Sequence, residues 1–327
     1  MAYVDHRLTR KRLIAGKLEA SRGTYLAPEA ADVFEVTNMG LPTVNSETVS
    51  WDTFRNTMTR DPDSIRLGQI TASITFSIAM PYKNMAGAAV TTWDSKWSRW
   101  FEVCGLACSV STDCFIAPTD SPTANLSINF NVDGISYQLR GCAGSVEIVA
   151  EAGQFFVANF TMTGVVNDIL EGAALAITSI VTQTPEVVED LGLFTINTMT
   201  PCVKTFSIAS GTTVQPYYCQ SGDKGIAYYY VSDRAITGNA VCGPMWSGTD
   251  QMDDELIAAW QDSTAVVASW AYGATTTADG TSMVIKGTIS DLQSEDDSGM
   301  FRWNVSIEGG YVTALGELGI ILNATTP

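Results

Sequence analysis

Imidazole is almost missing from this chain: His6 is the one histidine in 327 residues. That removes the usual Ser-His-Asp and Cys-His arrangements from the body of the protein. The seven cysteines include no C-x-x-C pair, the tightest group being Cys104, Cys108 and Cys114, so the common Cys/His zinc sites are excluded too. Phosphate-binding and nucleophile signatures are also missing: there is no G-x-x-x-x-G-K-[ST], no G-x-G-x-x-G after a strand and no G-x-S-x-G. Long hydrophobic runs are absent, since the longest weakly polar stretch, Ala173–Val181, is far short of a bilayer span. No cofactor, metal or membrane is expected. Charge is scarce as well, at 16% of residues, which is below the typical quarter. Much of the polar surface must therefore be Ser, Thr, Asn and Gln, which suits strands covered by further copies.

The charges that are present are unevenly placed. Residues 1–22 carry Arg7, Arg10, Lys11, Arg12, Lys17 and Arg22 against Asp5 and Glu19, a net of +4. The remainder holds 12 basic and 33 acidic residues, a net of -21. An acidic body is a poor reader of phosphates, which need Lys and Arg. A basic head on an acidic body suits docking of one copy on the next, although a solvated basic tail gives the same pattern. The charged N-terminus, without an apolar core, does not read as a secretory leader. The cysteines are then expected to be reduced and mostly buried, in a protein made in a cytoplasm. The four N-x-S/T sites (Asn125, Asn159, Asn304, Asn323) carry no weight in that setting.

Periodicity points to a mainly β protein with flanking helices, a β-sandwich or open barrel. A short helix is expected from Leu8 to Glu19, closed by Arg22-Gly23, then a strand at Val33–Val36. Residues 40–68 read as a long polar segment. In Ile70, Ala72, Ile74, Phe76, Ile78 and Met80 the apolar residues alternate strictly with Thr and Ser, as in a strand with one face on a core. A helix follows over Thr92–Cys104, its stripe formed by Trp93, Trp97, Trp100, Phe101 and Cys104, with Thr92 as N-cap and Gly105 as C-cap. Leu126–Val132 and Ile135–Leu139 make a hairpin around Asp133-Gly134. Strands are expected near 143–150 and 154–165, turning at Ala152-Gly153. Residues 167–198 look like a linker. Later strands are expected at 203–209, 225–232, 264–272, 282–292 and 299–308, with a second helix over Asp250–Gln261. That helix's stripe is Met252, Leu256, Ile257 and Trp260, and Asp250, Asp253 and Asp254 sit where they favour the helix dipole. Core packing explains Trp93, Trp97, Trp100, Phe101, Leu256 and Trp260 better than a ligand platform does.

One motif occurs twice. Leu139-Arg140-Gly141 leads to Phe156-x-x-Asn159-Phe-Thr-Met-Thr-Gly164, and Ile285-Lys286-Gly287 leads to Phe301-x-x-Asn304-Val-Ser-Ile-Glu-Gly309. The glycines are 23 and 22 positions apart, and an aromatic amphipathic helix precedes each unit. A duplication explains this, or two unrelated hairpins of similar build. The expected organisation is an arm at 1–50, a first domain at 51–180 with a long loop at 45–66, and a second domain at 181–327. Asp61-Pro62-Asp63 and Glu295-Asp296-Asp297 lack the spacing of a calcium loop and read as turns. Asp253, Asp254 and Glu255 occupy consecutive helical positions that share no face.

The order of several short patterns carries a resemblance. Leu13-Ile-Ala-Gly-Lys17-Leu-Glu19 runs into Gly23-Thr-Tyr-x-x-Pro28 and Ala30-Ala-Asp32. Glu47-Thr-Val49, with Asp52 and Arg55, then precedes the long strand beginning near Leu67. In these features the chain resembles the tail tube (major tail) proteins of long-tailed bacteriophages. It departs from them in its seven cysteines and its aromatic-rich first helix. The resemblance implies a structural virion protein and not an enzyme: rings stack into a tube, their strands join into an inner β-barrel, and DNA passes through the lumen. Implied partners are other copies, a tape measure protein and viral DNA inside, and tail terminator and baseplate proteins at the ends. With two matched halves, three chains per ring would present six similar domains; six chains is the alternative. Contacts between rings are expected from the arm and loop, through Arg7, Arg10, Lys11, Arg12, Lys17, Trp51, Phe54, Arg55, Arg60 and Asp61. Competing readings are another virion ring component, or a carbohydrate-binding β-sandwich using Trp51, Trp246 and Trp270.

Overall fold

The computed structural model describes residues 11–50, 65–80, 95–110, 114–172, 175, 193–197, 199–220, 225–243, 246–247, 250–272, 281–310 and 318–322. The chain is mainly β, with two α-helices among the described residues. In order, the first elements are β1 (Arg12–Leu18), a 3-10 turn at Ala30–Asp32, β2 (Val33–Phe34), β3 (Asn38–Met39), β4 (Thr43–Ser50), β5 (Ile65–Ala79) and α1 (Ser95–Glu102). Then come β6 (Leu106–Val110), β7 (Cys114–Pro118), β8 (Leu126–Val132), β9 (Ile135–Glu151) and β10 (Val157–Glu171). The later elements are β11 (Leu193–Ile196), β12 (Val203–Ala209), β13 (Thr212–Tyr218), β14 (Ile226–Arg234), β15 (Thr237–Cys242), β16 (Trp246–Ser247), β17 (Asp250–Gln251), α2 (Met252–Gln261), β18 (Ala265–Tyr272), β19 (Thr281–Asp297), β20 (Met300–Gly309) and β21 (Leu318–Leu322).

Antiparallel pairing orders these strands into two runs. In the first, β4, β5, β10, β9, β8, β1 and β2 lie side by side. In the second the order is β12, β15, β20, β19, β18 and β11. Among the described strands one seam joins the runs, β12 pairing with the far end of β9, while β21 ties the β6–β7 hairpin to β19. The alternation seen in the sequence sets the burial. Ala72, Ile74, Phe76 and Ile78 of β5 point into a core shared with Phe130, Phe160, Met162 and Phe206. Trp100 of α1 is buried there, edge-on to Phe76 with ring centroids 4.9 Å apart, and Phe76 stacks on Phe160 at 5.3 Å.

Several expectations change. The helix predicted over Leu8–Glu19 is instead strand β1 across Arg12–Leu18, paired with β8 from Arg12↔Val132 to Leu18↔Leu126. A short apolar run such as Leu-Ile-Ala-Gly does not distinguish helix from strand, and the partner decides. Packing supplies a further reason: a Cβ on Gly16 would sit 2.6 Å from the Trp100 ring. The polar segment at 40–68 contains a strand too, because Thr43–Ser50 pairs along β5. The two strand pieces expected around 143–165 are longer, with β9 beginning at Ile135 and β10 reaching Glu171. The expected linker therefore starts later, and it holds β11. β13 and β15 carry no clear sequence signal; Pro216 marks β13 as a poor strand by sequence, and it is tolerated in a two-stranded edge ribbon with β14.

α1 keeps its expected C-cap, with Gly105 at φ 78° and its N–H donating to the Glu102 carbonyl. Thr92, Trp93 and the Trp97 side chain lie outside the described residues. Trp100, Phe101 and Cys104 are buried as expected. In α2 the stripe is rotated: Leu256 and Ala259 are buried, but Trp260 is 39% exposed and is not core. One helix position is a turn of 100°, enough to move a side chain from the core to the rim. Among the described residues no helix is long and apolar enough to cross a membrane.

Candidate functional site

The first strand is the hub of the basic head. Ile14 and Ala15 are fully buried, which fixes Arg12 and Lys17 at the two ends of β1. Lys17 reaches Glu29 at 2.7 Å and Asp32 at 3.9 Å. Asp32 also accepts from Arg99 of α1 at 2.6 Å and from the Glu29 N–H at 2.9 Å. Burial opposes ionisation of Asp32, but these donors and the two cations outweigh it and hold its carboxyl below the ordinary value. The Glu29 partner raises the Lys17 pKa. Arg99 also donates to the Gly16 carbonyl, so one guanidinium ties α1 to β1 and to the 3-10 turn. Nothing in the sequence pattern pointed to Arg99, because its partners are distant in the chain.

A second, half-buried carboxylate organises the other side of β1. Glu19 accepts from the N–H groups of Gly23 and Gly141 and from the Ser127 hydroxyl. Burial nonetheless dominates and pushes its pKa up. Gly141, the glycine of the first repeated motif, is left-handed at φ 57°. A Cβ there would lie 2.6 Å from the Tyr228 Cβ. The motif thus marks a place where β9 is bulged and crowded.

Of the residues expected to bridge rings, three are described. Lys11 lies 3.3 Å from Asp133. Arg12 donates to the Met39 carbonyl. Lys17 is engaged as above. Arg7, Arg10, Trp51, Phe54, Arg55, Arg60 and Asp61 lie outside the described residues.

The described surface offers apolar edges. All eight residues of β4 are exposed on both faces, so the β4–β5 hairpin stands away from the body with Val44, Val49 and Leu67 in solvent. Met300 and Phe301 are exposed at the start of β20, and Leu41 is exposed just after β3. Two-sided exposure of this kind is characteristic of a surface awaiting a partner. No group of three or more His, Cys, Asp or Glu among the described residues could hold a metal ion. Cys104, Cys142 and Cys242 are buried, and burial raises the Cys142 thiol well above its usual pKa and that of Cys242 to about 12. Thiols so raised are poor nucleophiles. Trp270, one of three tryptophans considered for sugar stacking, is buried against Phe206 and has no face to offer. Trp51 and the Trp246 side chain are outside the described residues.

None of the curated proteins matches the chain. A family model described as "Phage tail tube protein" matches residues 9–283.

Proposed function

Because the chain belongs to the phage tail tube protein family, and is thereby a structural component of a virion tail, we propose that it polymerises into stacked rings whose lumen conducts viral DNA. The family match over residues 9–283 carries this reading. The fold supports it physically. Long antiparallel strands with unpaired edges are prone to uncontrolled association, and closing them into a continuous barrel across copies removes the edges. The acidic body favours a lumen lined by like charge, along which DNA slides without being held, since few Lys or Arg are there to release counterions. The lumen would also house a tape measure protein, with terminator and baseplate proteins at the two ends.

Stacking of rings is assigned to the basic head and to the projecting β4–β5 hairpin with its connecting segment at 51–64. The twice-used motif favours two similar domains per chain, and hence three chains in a pseudo-sixfold ring. Negative-stain microscopy of the purified protein tests the whole reading. Tubes of uniform width are expected; single subunits at high concentration would overturn it, and isolated rings that never stack would point to a terminator or baseplate role. Mass measurement of isolated rings tests the stoichiometry, and six chains per ring would discard the trimer.

A further inference from the structure

The repeated motif has unequal surroundings in its two settings, and the inequality defines an interface. Asn159 lies between Ser77 of β5 and Glu147 of β9. Asn304 lies between Val241 of β15 and Gln293 of β19. The two hairpins therefore correspond residue for residue near their tips, with Phe156 matching Phe301 and Glu147–Glu151 matching Gln293–Asp297. Phe156 is 4% exposed and Phe301 is 46% exposed. The strand edge beside the two tips differs as well. The free edge of the first hairpin is paired by β12, from Thr205↔Glu151 to Ala209↔Glu147. No described strand pairs with the same edge of β19 beyond Thr288.

The strand that plays the part of β12 in the first run is β3 with its continuation. Thr205 sits opposite Val241, and Asn38 opposite Ser77, so Phe206 matches Met39 and Ile208 matches Leu41. Ile208 is 1% exposed because β9 lies beside it, whereas Leu41 is 51% exposed. The Gly40 N–H turns inward to Thr75 of β5, while the Met39 carbonyl turns outward and accepts the Arg12 guanidinium. Each chain thus carries the two unmatched halves of a joint that it has already built once internally.

We infer that β19 of one copy pairs antiparallel with the 38–42 edge of the next, in the register of the internal β9–β12 seam. Asp297 then lies opposite Asn38, Asp296 opposite Met39, Ser294 opposite Leu41 and Gln293 opposite Pro42. Phe301 enters the pocket-side position that Phe156 holds at the internal seam. The charges agree with this placement. Where the internal seam sets Ala150 against Phe206, the external one brings Glu295 and Asp296 to the edge where Arg12 is held on the Met39 carbonyl, Asp297 being already held by Lys204 and Arg302 of its own chain. Opposite charges across a strand pair stabilise it and fix its register. The contact is head-to-tail, so it propagates from copy to copy and ends only by closing a ring. It rests on the ring-forming reading and specifies which edges meet.

The test uses full-length chains carrying Leu41→Asp or Phe301→Asp, both at exposed positions, with circular dichroism confirming the fold. Leu41→Ser and Phe301→Ser serve as milder versions should either charge disturb folding. Each variant alone is expected to sediment as a single chain under conditions where the wild type assembles. Mixed one to one, they should form a dimer that grows no further, because one variant keeps an intact β19 edge and the other an intact 38–42 edge. Variants that assemble like the wild type would overturn this joint and leave the ring reading standing. Variants that stay single when mixed would overturn the head-to-tail pairing. A wild type that never assembles would overturn the ring reading and the joint with it.

Discussion

At the scale of residues, the chain spends its few charges on holding elements together. Asp32 gathers Arg99, Lys17 and the Glu29 N–H at the junction of β1, α1 and the 3-10 turn. Its pKa is lowered in the folded protein, so the ionised form stabilises the fold fully above the ordinary value of 3.8, and that contribution is lost as pH falls from there through the lowered folded value. Asp32→Asn is expected to cost about 2 kcal/mol at neutral pH, the usual worth of hydrogen bonds to a charged group. Urea unfolding of both proteins across pH checks the sign: the gap should narrow below pH 4, and a gap independent of pH would show that the charge is not what matters. Glycine has an equally local role in the second copy of the motif. A Cβ on Gly287 would lie 1.8 Å from the Glu308 carbonyl oxygen, so β19 and β20 approach more closely there than any side chain permits.

At the scale of elements, the helices show how narrowly sequence periodicity constrains a short segment. Of the stripe expected in α1, Trp100, Phe101 and Cys104 meet the core, while Trp93 and the Trp97 side chain lie outside the described residues. In α2 the same reasoning places Trp260 inside, but the buried face runs through Leu256 and Ala259. An apolar side chain near a helix end is not obliged to face inward, and Trp260 rests at the rim. Leu256→Ala should therefore cost about 3 kcal/mol, the typical effect of a large-to-small change in a core, whereas Trp260→Ser should change stability by less than about 0.5 kcal/mol. Thermal unfolding of the two variants separates these outcomes; a larger loss for Trp260→Ser would restore the original stripe.

At the scale of the whole molecule, the placement of β1 changes how the arm is to be tested. Residues 12–18 form an interior strand of the first run, and Ile14 and Ala15 have no exposure. Deleting the first 22 residues would remove that strand and unfold the subunit, which says nothing about assembly. Deleting residues 1–10 keeps β1 while removing Arg7 and Arg10. The shortened chain is expected to keep its circular dichroism spectrum and melting temperature but to form rings that no longer stack into tubes. Normal tubes seen by microscopy would remove the arm from the stacking contacts.

Local patterning was enough to specify a mainly β chain. Strict alternation in Ile70–Met80 specifies a strand with one buried face, and Asp133-Gly134 a hairpin. The recurrence of Phe-x-x-Asn was legible too, because a repeated motif is a property of the chain alone. Only the tertiary structure decided that Leu13–Leu18 is strand, since the choice depends on β8 more than a hundred residues away. It also decided that Thr43–Ser50 pairs with β5, and that Arg99 is the partner of Asp32. Above all it separated the two copies of the motif. Phe156 and Phe301 are the same residue in the same local pattern, but one is buried and the other half-exposed, because burial depends on what packs from outside and no local sequence encodes it.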